Sequence, residues 1–331
     1  MVTPLRRLQL ITLLMLWCLT PGYSFAAESA DHETLTITAI LSGDSDEYQT
    51  VFRSLSDNLL EATEKHIDIS SLSIDEYIAR RDEARDLVVA VGTAASRTAV
   101  RYGEKTPVLS IFIPEKNFTD LPVKATTRIT AIVIDQPLSR YLELCVLILS
   151  DQRKKLGIFY NGNKQIRDLL SREVSAKHFN PVLEIVNEPI TARHITHVIN
   201  ASDAILLLPG FADISPQRAK WLLYMAYRDR IPVIAFSEAY VKSGALASIS
   251  TDPEDIGRQA ATFIADLLSR PGPLEINQSD RGKVHYPDNF SVHVNRKIAD
   301  QLDITIPDTE ILQDKIGNTA NTIRDTSIHA D

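Results

Sequence analysis

Apolar residues in this chain gather into short unbroken runs, and the stretches between the runs show helical spacing. The clearest run is residues 87–91, LVVAV, with no polar alternation. A strand buried on both faces of a parallel sheet reads this way. Gly92 ends the run, Thr93 suits a helix N-cap, and the chain reads helical from Ala94 to about residue 102. Residues 35–42, 66–70, 107–113 and 129–134 read as further strands. Between them lie a helix over 48–63, with Val51, Leu55, Leu59 and Leu60 at helical spacing, and a more polar helix near 73–84. Strands alternating with helices predict a doubly wound parallel sheet.

The same grammar then restarts. Helix 138–149 leads to strands at 155–160, 181–186, 203–208, 231–236 and 245–250, separated by helices at 164–178, 190–199, 216–228 and 238–242. Residues 252–270 form a long amphipathic helix with Pro253 in its first turn and Ile256, Ala260, Phe263 and Leu267 on one stripe. Short strands at 284 and 290–294 and a helix at 296–302 follow. The last stretch, 308–331, is polar and weakly periodic and is expected to be a loose tail. Two consecutive repeats of similar length imply an α/β chain of two like lobes. Asp86 and Asp203 each open a buried strand, which puts both acids at the end away from any ligand cleft.

The N-terminus does not fit either repeat. Arg6 and Arg7 precede an apolar run at 10–19, Pro21 and Gly22 break it, and Ser24 and Ala26 are the small residues that a signal peptidase reads. Residues 1–26 are therefore expected to be a signal peptide cleaved after Ala26, giving an exported, periplasmic protein. No other run approaches a membrane-spanning length. Trp17 stands where a lipoprotein signal before Cys18 would need a small residue. The formal charge is −8, and loss of two arginines with the signal makes it −10. An acidic chain of this kind lacks the clustered Lys and Arg that nucleic acid requires. Cys145 is the single cysteine left after cleavage, lies in an apolar helical run, and reads as a small core residue.

The stretch 231–261, IPVIAFSEAYVKSGALASISTDPEDIGRQAA, resembles the ABC-transporter substrate-binding family whose better-studied members bind aromatic amino acids. Val91-Gly92-Thr93-Ala94-Ala95, Ala131-Ile132, Phe290-Ser-Val-His-Val-Asn295 and Ile306-Pro307 extend the likeness over about residues 35–307. The resemblance implies a type I periplasmic-binding-protein fold, two Rossmann-like lobes with parallel sheets and a hinge. Lobe 1 would hold 35–134 and 251–283; lobe 2 would hold 135–250 and 284–307. It also implies a monomer that captures a small molecule, amino-acid-like or aromatic, for an ABC permease in the inner membrane, with no cofactor and no catalysis.

Ligands of open α/β sheets sit beyond the carboxyl ends of strands. The candidate contacts are therefore Ser42 and Asp44, then Gly92, Thr93 and Ala94, in the first repeat. In the second they are Tyr160 and Asn161; Pro209, Gly210 and Phe211; and Phe236 and Ser237. Helix N-termini and the hydroxyls of Ser42, Thr93 and Ser237 suit an anionic group; Asp44 suits an amine; Tyr160, Phe211 and Phe236 suit a flat apolar group. The structural alternatives are a simple N-cap for Thr93, a core position for Phe236 and ordinary helix-start acids for Asp44, Asp46 and Glu47. Family members that bind amino acids usually carry a polar Asp or Asn pair after the strand matching 203–208; here the turn reads Pro209-Gly210-Phe211. That departure places any change of specificity in this turn. It also motivates a second reading, an envelope sensory or interaction protein that keeps the fold and docks on a partner. His194 and His197 share a helix face, but no Glu or Cys nearby completes a metal set. The chain has no G-x-S-x-G, phosphate-binding loop or G-x-G-x-x-G motif.

Overall fold

The structure is a computed structural model that describes residues 34–328, except 104–105, 125, 151, 187–188, 213 and 273. The expected signal peptide, with Cys18, lies outside the described residues. The first sheet contains β1 (Leu35–Leu41), β2 (Ile67–Ser73), β3 (Leu87–Val91), β4 (Val108–Ile113), β5 (Ile129–Val133) and β11 (Val284–His285) in the order β11-β5-β4-β3-β1-β2. The second contains β6 (Lys155–Tyr160), β7 (Asn180–Ile185), β8 (Ala204–Leu206), β9 (Val233–Ala235), β10 (Ala247–Ser250) and β12 (Ser291–Val294) in the order β12-β10-β9-β8-β6-β7. The two orders are the same, so the repeat in the sequence is a repeat of topology. Among the described residues the strand pairings are parallel apart from β12, which runs antiparallel to β10.

Both faces of each sheet are covered, which is why the inner strands such as β3 and β5 are buried throughout without alternation, whereas the edge strand β2 alternates. In lobe 1, α1 (Asp46–Ala62) and α10 (Pro253–Ser269) pack on one face; α2 (Ile74–Ala79), α3 (Thr93–Tyr102) and α4 (Glu115–Thr119) contribute to the other. In lobe 2, α5 (Leu138–Ile148) and α6 (Lys164–Ala176) cover one face; α7 (Ala192–Ala201), α8 (Pro216–Arg228) and α9 (Glu238–Lys242) cover the other. The two strand-opening acids brace the edges away from the cleft. Asp86 accepts from the Thr36 amide at 2.8 Å, and Asp203 accepts from the amides of Lys154 and Lys155 at 3.0 and 2.8 Å. Cys145 is buried and unbridged.

Three expectations need correction. Val284 was grouped with lobe 2, but β11 pairs in parallel with β5 and belongs to the first sheet. The expected helix at 296–302 is present as α11 (Arg296–Gln301), but most of the expected loose tail is a further helix, α12 (Thr309–Ile328). Leu312 and Ile316, four residues apart on one helical face, are buried in the lobe 2 core, and that burial makes the segment a helix despite its polar composition. Finally, α4 was not foreseen because five residues are too few to display a period. No described helix is long and apolar enough to cross a membrane.

The chain passes between the sheets three times: after β5, after β10 and between β11 and β12. The second passage delivers α10 back onto α1, and Gly257 makes that contact possible. A Cβ there would stand 2.5 Å from the Val51 carbonyl oxygen and 2.9 Å from the Leu55 amide. Backbone cannot yield as a side chain can. Gly257→Ala is therefore expected to lower stability by about 1–3 kcal/mol in urea unfolding. Gly317→Ala, at a helical site with open space around it, should raise stability by about 0.5–1 kcal/mol. Equal effects of the two substitutions would refute the packing argument.

Candidate functional site

The three passages between the sheets are tied at one point. Arg140, on the first turn of α5, is 6 % exposed. Its Nη1 donates to Gln136 Oε1 at 2.6 Å and to the Pro287 carbonyl at 2.7 Å; Nη2 reaches the Asp288 carbonyl at 3.3 Å. The guanidinium also stacks 4.5 Å from the Phe290 ring centroid. Gln136 donates through Nε2 to the Thr251 hydroxyl, and that hydroxyl donates to the Asn289 carbonyl at 3.0 Å. From α10, Gln259 donates to the Tyr286 carbonyl and accepts from the Asp288 amide, both at 3.0 Å. One fixed fork of donors thus joins residues from all three passages.

Beside this knot, where the lobes face each other, lies a cavity of about 500 Å³. Lobe 2 and α5 supply its apolar wall: Leu138, Tyr141, Ile166, Leu169, Leu208 and Phe211. Asn161 and Asn163 edge that wall. Asn163 caps α6 by accepting from the amides of Gln165 and Ile166, and Asn161 Oδ1 accepts from the Asn163 amide at 3.2 Å. The lobes touch at the rim. Gly210, at φ +72°, is so close to α4 that a Cβ on it would stand 3.2 Å from Lys116 Cβ. A glycine is required there both for the left-handed backbone and for the approach.

The lobe 1 wall is polar and acidic: Glu115, Lys116, Asp120, Asp135 and Tyr286. The ends of β4 and β5 present it. At the end of β4 the register with β5 shifts, and Phe112 adopts φ +54°, its ring edge-on to Tyr48 at 5.9 Å. This bulge redirects the strand into Pro114 and Glu115 at the cavity. The Glu115 amide donates to Asp135 Oδ2 at 2.6 Å, and the Tyr286 hydroxyl donates to Glu115 Oε2 at 2.9 Å. Lys116 pairs with Asp120 at 2.8 Å. Asp135 is 7 % exposed. Burial pushes its carboxyl up to about 6; the Glu115 amide opposes this and repulsion from the Glu115 carboxylate adds to it. Burial, followed by the charge of Glu115, raises the Tyr286 phenol; burial, followed by the charge of Asp135, raises that of Tyr141.

Of the residues expected from sequence, Asn161, Pro209, Gly210 and Phe211 line this cavity together. The others do not. The residue preceding the helix at 93 is Gly92, φ +88°, which serves as the N-cap of α3, so Thr93 is the first helical residue and not the cap; its hydroxyl accepts from Asn117 Nδ2 at 3.0 Å. Ser42 Oγ accepts from the Ala95 amide at 2.9 Å and so fills part of the helix end meant for an anion. Ala94 and Asp44 are exposed outside the cavity lining. Tyr160 cannot offer a stacking face: it is 3 % exposed and shares the core-facing side of β6 with Leu156 and Ile158, at two-residue spacing. Phe236 packs into the lobe 2 core against Tyr240, ring centroids 4.9 Å apart, and Ser237 is the N-cap of α9. Sequence reasoning missed Glu115, Asp135, Tyr141 and Tyr286. Asp135 alone carried a signal, as an acid directly beyond a buried strand. His194 accepts from the Thr191 amide in a capping box and His197 pairs with Glu184 at 2.6 Å.

Two doubly wound lobes of equal strand order, joined by three crossings and enclosing a cavity at their junction, define a type I binding protein of the periplasmic kind. The chain belongs to the ABC transporter substrate-binding protein family, whose model matches residues 36–315. It is 22 % identical over 197 residues to a tyrosine-binding protein of Clostridioides difficile (strain R20291), a match covering 56 % of this chain and 55 % of that one. The match thus spans about half the length of that relative. Among solved structures, a ligand-free, open substrate-binding protein with adhesive properties from Clostridium difficile has a TM-score of 0.64 at 17 % identity, covering 84 % of this chain and 97 % of that one. A Streptococcus pneumonia ABC domain in complex with L-Trp has a TM-score of 0.55 at 18 % identity, covering 85 % and 98 %. These structural likenesses show the fold.

The acid at the knot makes a stability prediction. A carboxyl whose folded value is raised from 3.8 to about 6 stabilises the fold when protonated. Its contribution is complete below about pH 4 and is lost as pH rises through 6, by an amount on the order of 2–3 kcal/mol. Asp135→Asn keeps an oxygen for the Glu115 amide and removes the buried charge. It should melt roughly 2–6 °C above the parent at pH 8, with no such advantage at pH 4. A lower melting temperature at pH 8 would contradict the assignment.

Proposed function

We propose that this chain is an exported solute-binding protein that captures a small molecule between its lobes and delivers it to an ABC importer in the inner membrane. One observation carries the reading: a single cavity is walled by both lobes and by the segment that joins them. A molecule held there contacts two bodies that share a pivot, and such contact favours the closed arrangement over the open one. The family supports the role of carrier without catalysis and the permease as partner. The basic, apolar and small-residue sequence of 1–26 supports export and cleavage after Ala26. The ligands of two similar proteins, tyrosine and L-Trp, favour an amino-acid-like or aromatic molecule. Asn161, Pro209, Gly210 and Phe211 are the proposed lobe 2 contacts. Ser42, Gly92, Thr93 and Ala94 lie at the other switch point, between β1 and β3, and take part only if a ligand reaches beyond the cavity.

A second reading, an envelope interaction protein docking on a partner, is favoured by the turn Pro209-Gly210-Phe211, which lacks polar side chains to hold an amino acid. A relative with adhesive properties is in keeping with it. Thermal shift against amino acids, purines and peptides separates the two, because a ligand of the folded state raises the melting temperature. The carrier reading expects a rise with at least one class, and an affinity about tenfold weaker in Phe211→Ala and Asn161→Ala. No rise with any class, together with no co-purified molecule in native mass spectrometry, would leave the docking reading.

A further inference from the structure

Resting on the carrier reading, we infer that the cavity selects an organic cation: an amine with one aromatic or apolar arm and no carboxylate beside the nitrogen. The polarity of the two walls is the reason. Asp135 lines the cavity while 7 % exposed, and one of its oxygens, Oδ2, is held by the Glu115 amide. Its other oxygen, Oδ1, accepts no hydrogen bond from another described residue. Glu115 stands beside it with one oxygen taken by the Tyr286 hydroxyl. Two carboxylates at one wall, both drawn into fixed positions by donors behind them, form an electrostatic well for a cation.

The remaining charges do not cancel that well. Lys116 is engaged with Asp120 at the rim, and Arg140 is directed to carbonyls of the crossing segments and to Gln136. The lobe 2 wall offers amides and apolar surface, and among the described residues it contributes no basic side chain to the lining. A ligand carboxylate would add a further negative group beside Glu115 and Asp135, the two lining acids other than the Lys116-paired Asp120. The helix end that would otherwise receive it, at α3, has its Ala95 amide turned to Ser42. Across the cavity, Phe211, Leu138 and Ile166 provide the face for an apolar arm. The arrangement therefore separates this chain from carriers of free amino acids by charge and leaves the aromatic preference intact.

Three molecules with the same arm test this: tyramine, L-tyrosine and 3-(4-hydroxyphenyl)propionate, titrated calorimetrically into the full mature chain. Tyramine should bind at least about tenfold more tightly than L-tyrosine, and the acid should not bind. Asp135→Asn should weaken tyramine by about 10–100-fold while its melting curve shows a folded protein, and Glu115→Gln should weaken it in the same direction. Native mass spectrometry of the protein as purified gives a second reading, in which a co-purified cation supports the inference. Tighter binding of L-tyrosine or of the acid than of tyramine, or a co-purified anion or zwitterion, overturns the charge selection and leaves the carrier reading standing. Tyramine binding that Asp135→Asn and Glu115→Gln leave unchanged also overturns it. Neither a bound molecule nor a response to any of the three removes both.

Discussion

A buried guanidinium holds this fold at its narrowest point. Three strands of chain must pass between two independent sheets, and none of the passages is long enough to build a core. Arg140 supplies in polar form what packing cannot: one fork of two donor nitrogens aimed at carbonyls and an amide oxygen on different crossings. Its charge is 6 % exposed and is tolerable only because those acceptors and the Phe290 face surround it. The lobes can be rigid, each with its own double-sided core, because the connection between them is concentrated in this one knot. Gln136 and Thr251 extend the knot across the remaining crossing.

The site follows from the same arrangement. The cavity does not sit midway between the two switch points of the sheets. On lobe 2 it lies at the switch point, between the ends of β6 and β8, where Asn161 and Phe211 are found. On lobe 1 it lies to the side, against the ends of β4 and β5, where the Phe112 bulge brings Glu115 to Asp135. The asymmetry gives the two walls different characters, apolar on one side and acidic on the other. Two lobes of identical topology thus present unlike surfaces to whatever enters.

Most of the fold was legible in the sequence because buried parallel strands leave a local mark. Residues 87–91 and 155–160 announce themselves as apolar runs closed by Gly or Asn-Gly, and the repeat of that mark revealed two lobes. What failed was set by distance along the chain. The α12 helix is stabilised by burying Leu312 and Ile316 against a core that α5 and the sheet of lobe 2 build together with the nearby β12, and nothing in its own polar composition says so. β11 is two residues long, and only its pairing with β5 assigns it to lobe 1. The site was half legible for the same reason. Asn161 and Phe211 follow their own strands, whereas the Glu115–Asp135–Tyr286 cluster exists only once a bulge and two crossings are in place. Tyr160 was misread for a local reason: counting in twos from Leu156 turns its ring inward.

Asp135 and Gln136 are neighbours in the chain, one lining the cavity and the other bonded to Arg140 in the knot. A push applied at an axle turns no wheel. If the proposed ligand rests on Asp135, it sits beside the pivot, and leverage on the lobes belongs to contacts farther out, at Pro209-Gly210-Phe211 and the facing α4. On the proposed carrier role, anchoring and closing would fall to different atoms of the same ligand: its polar end would set where it sits, and its far end how firmly the lobes close.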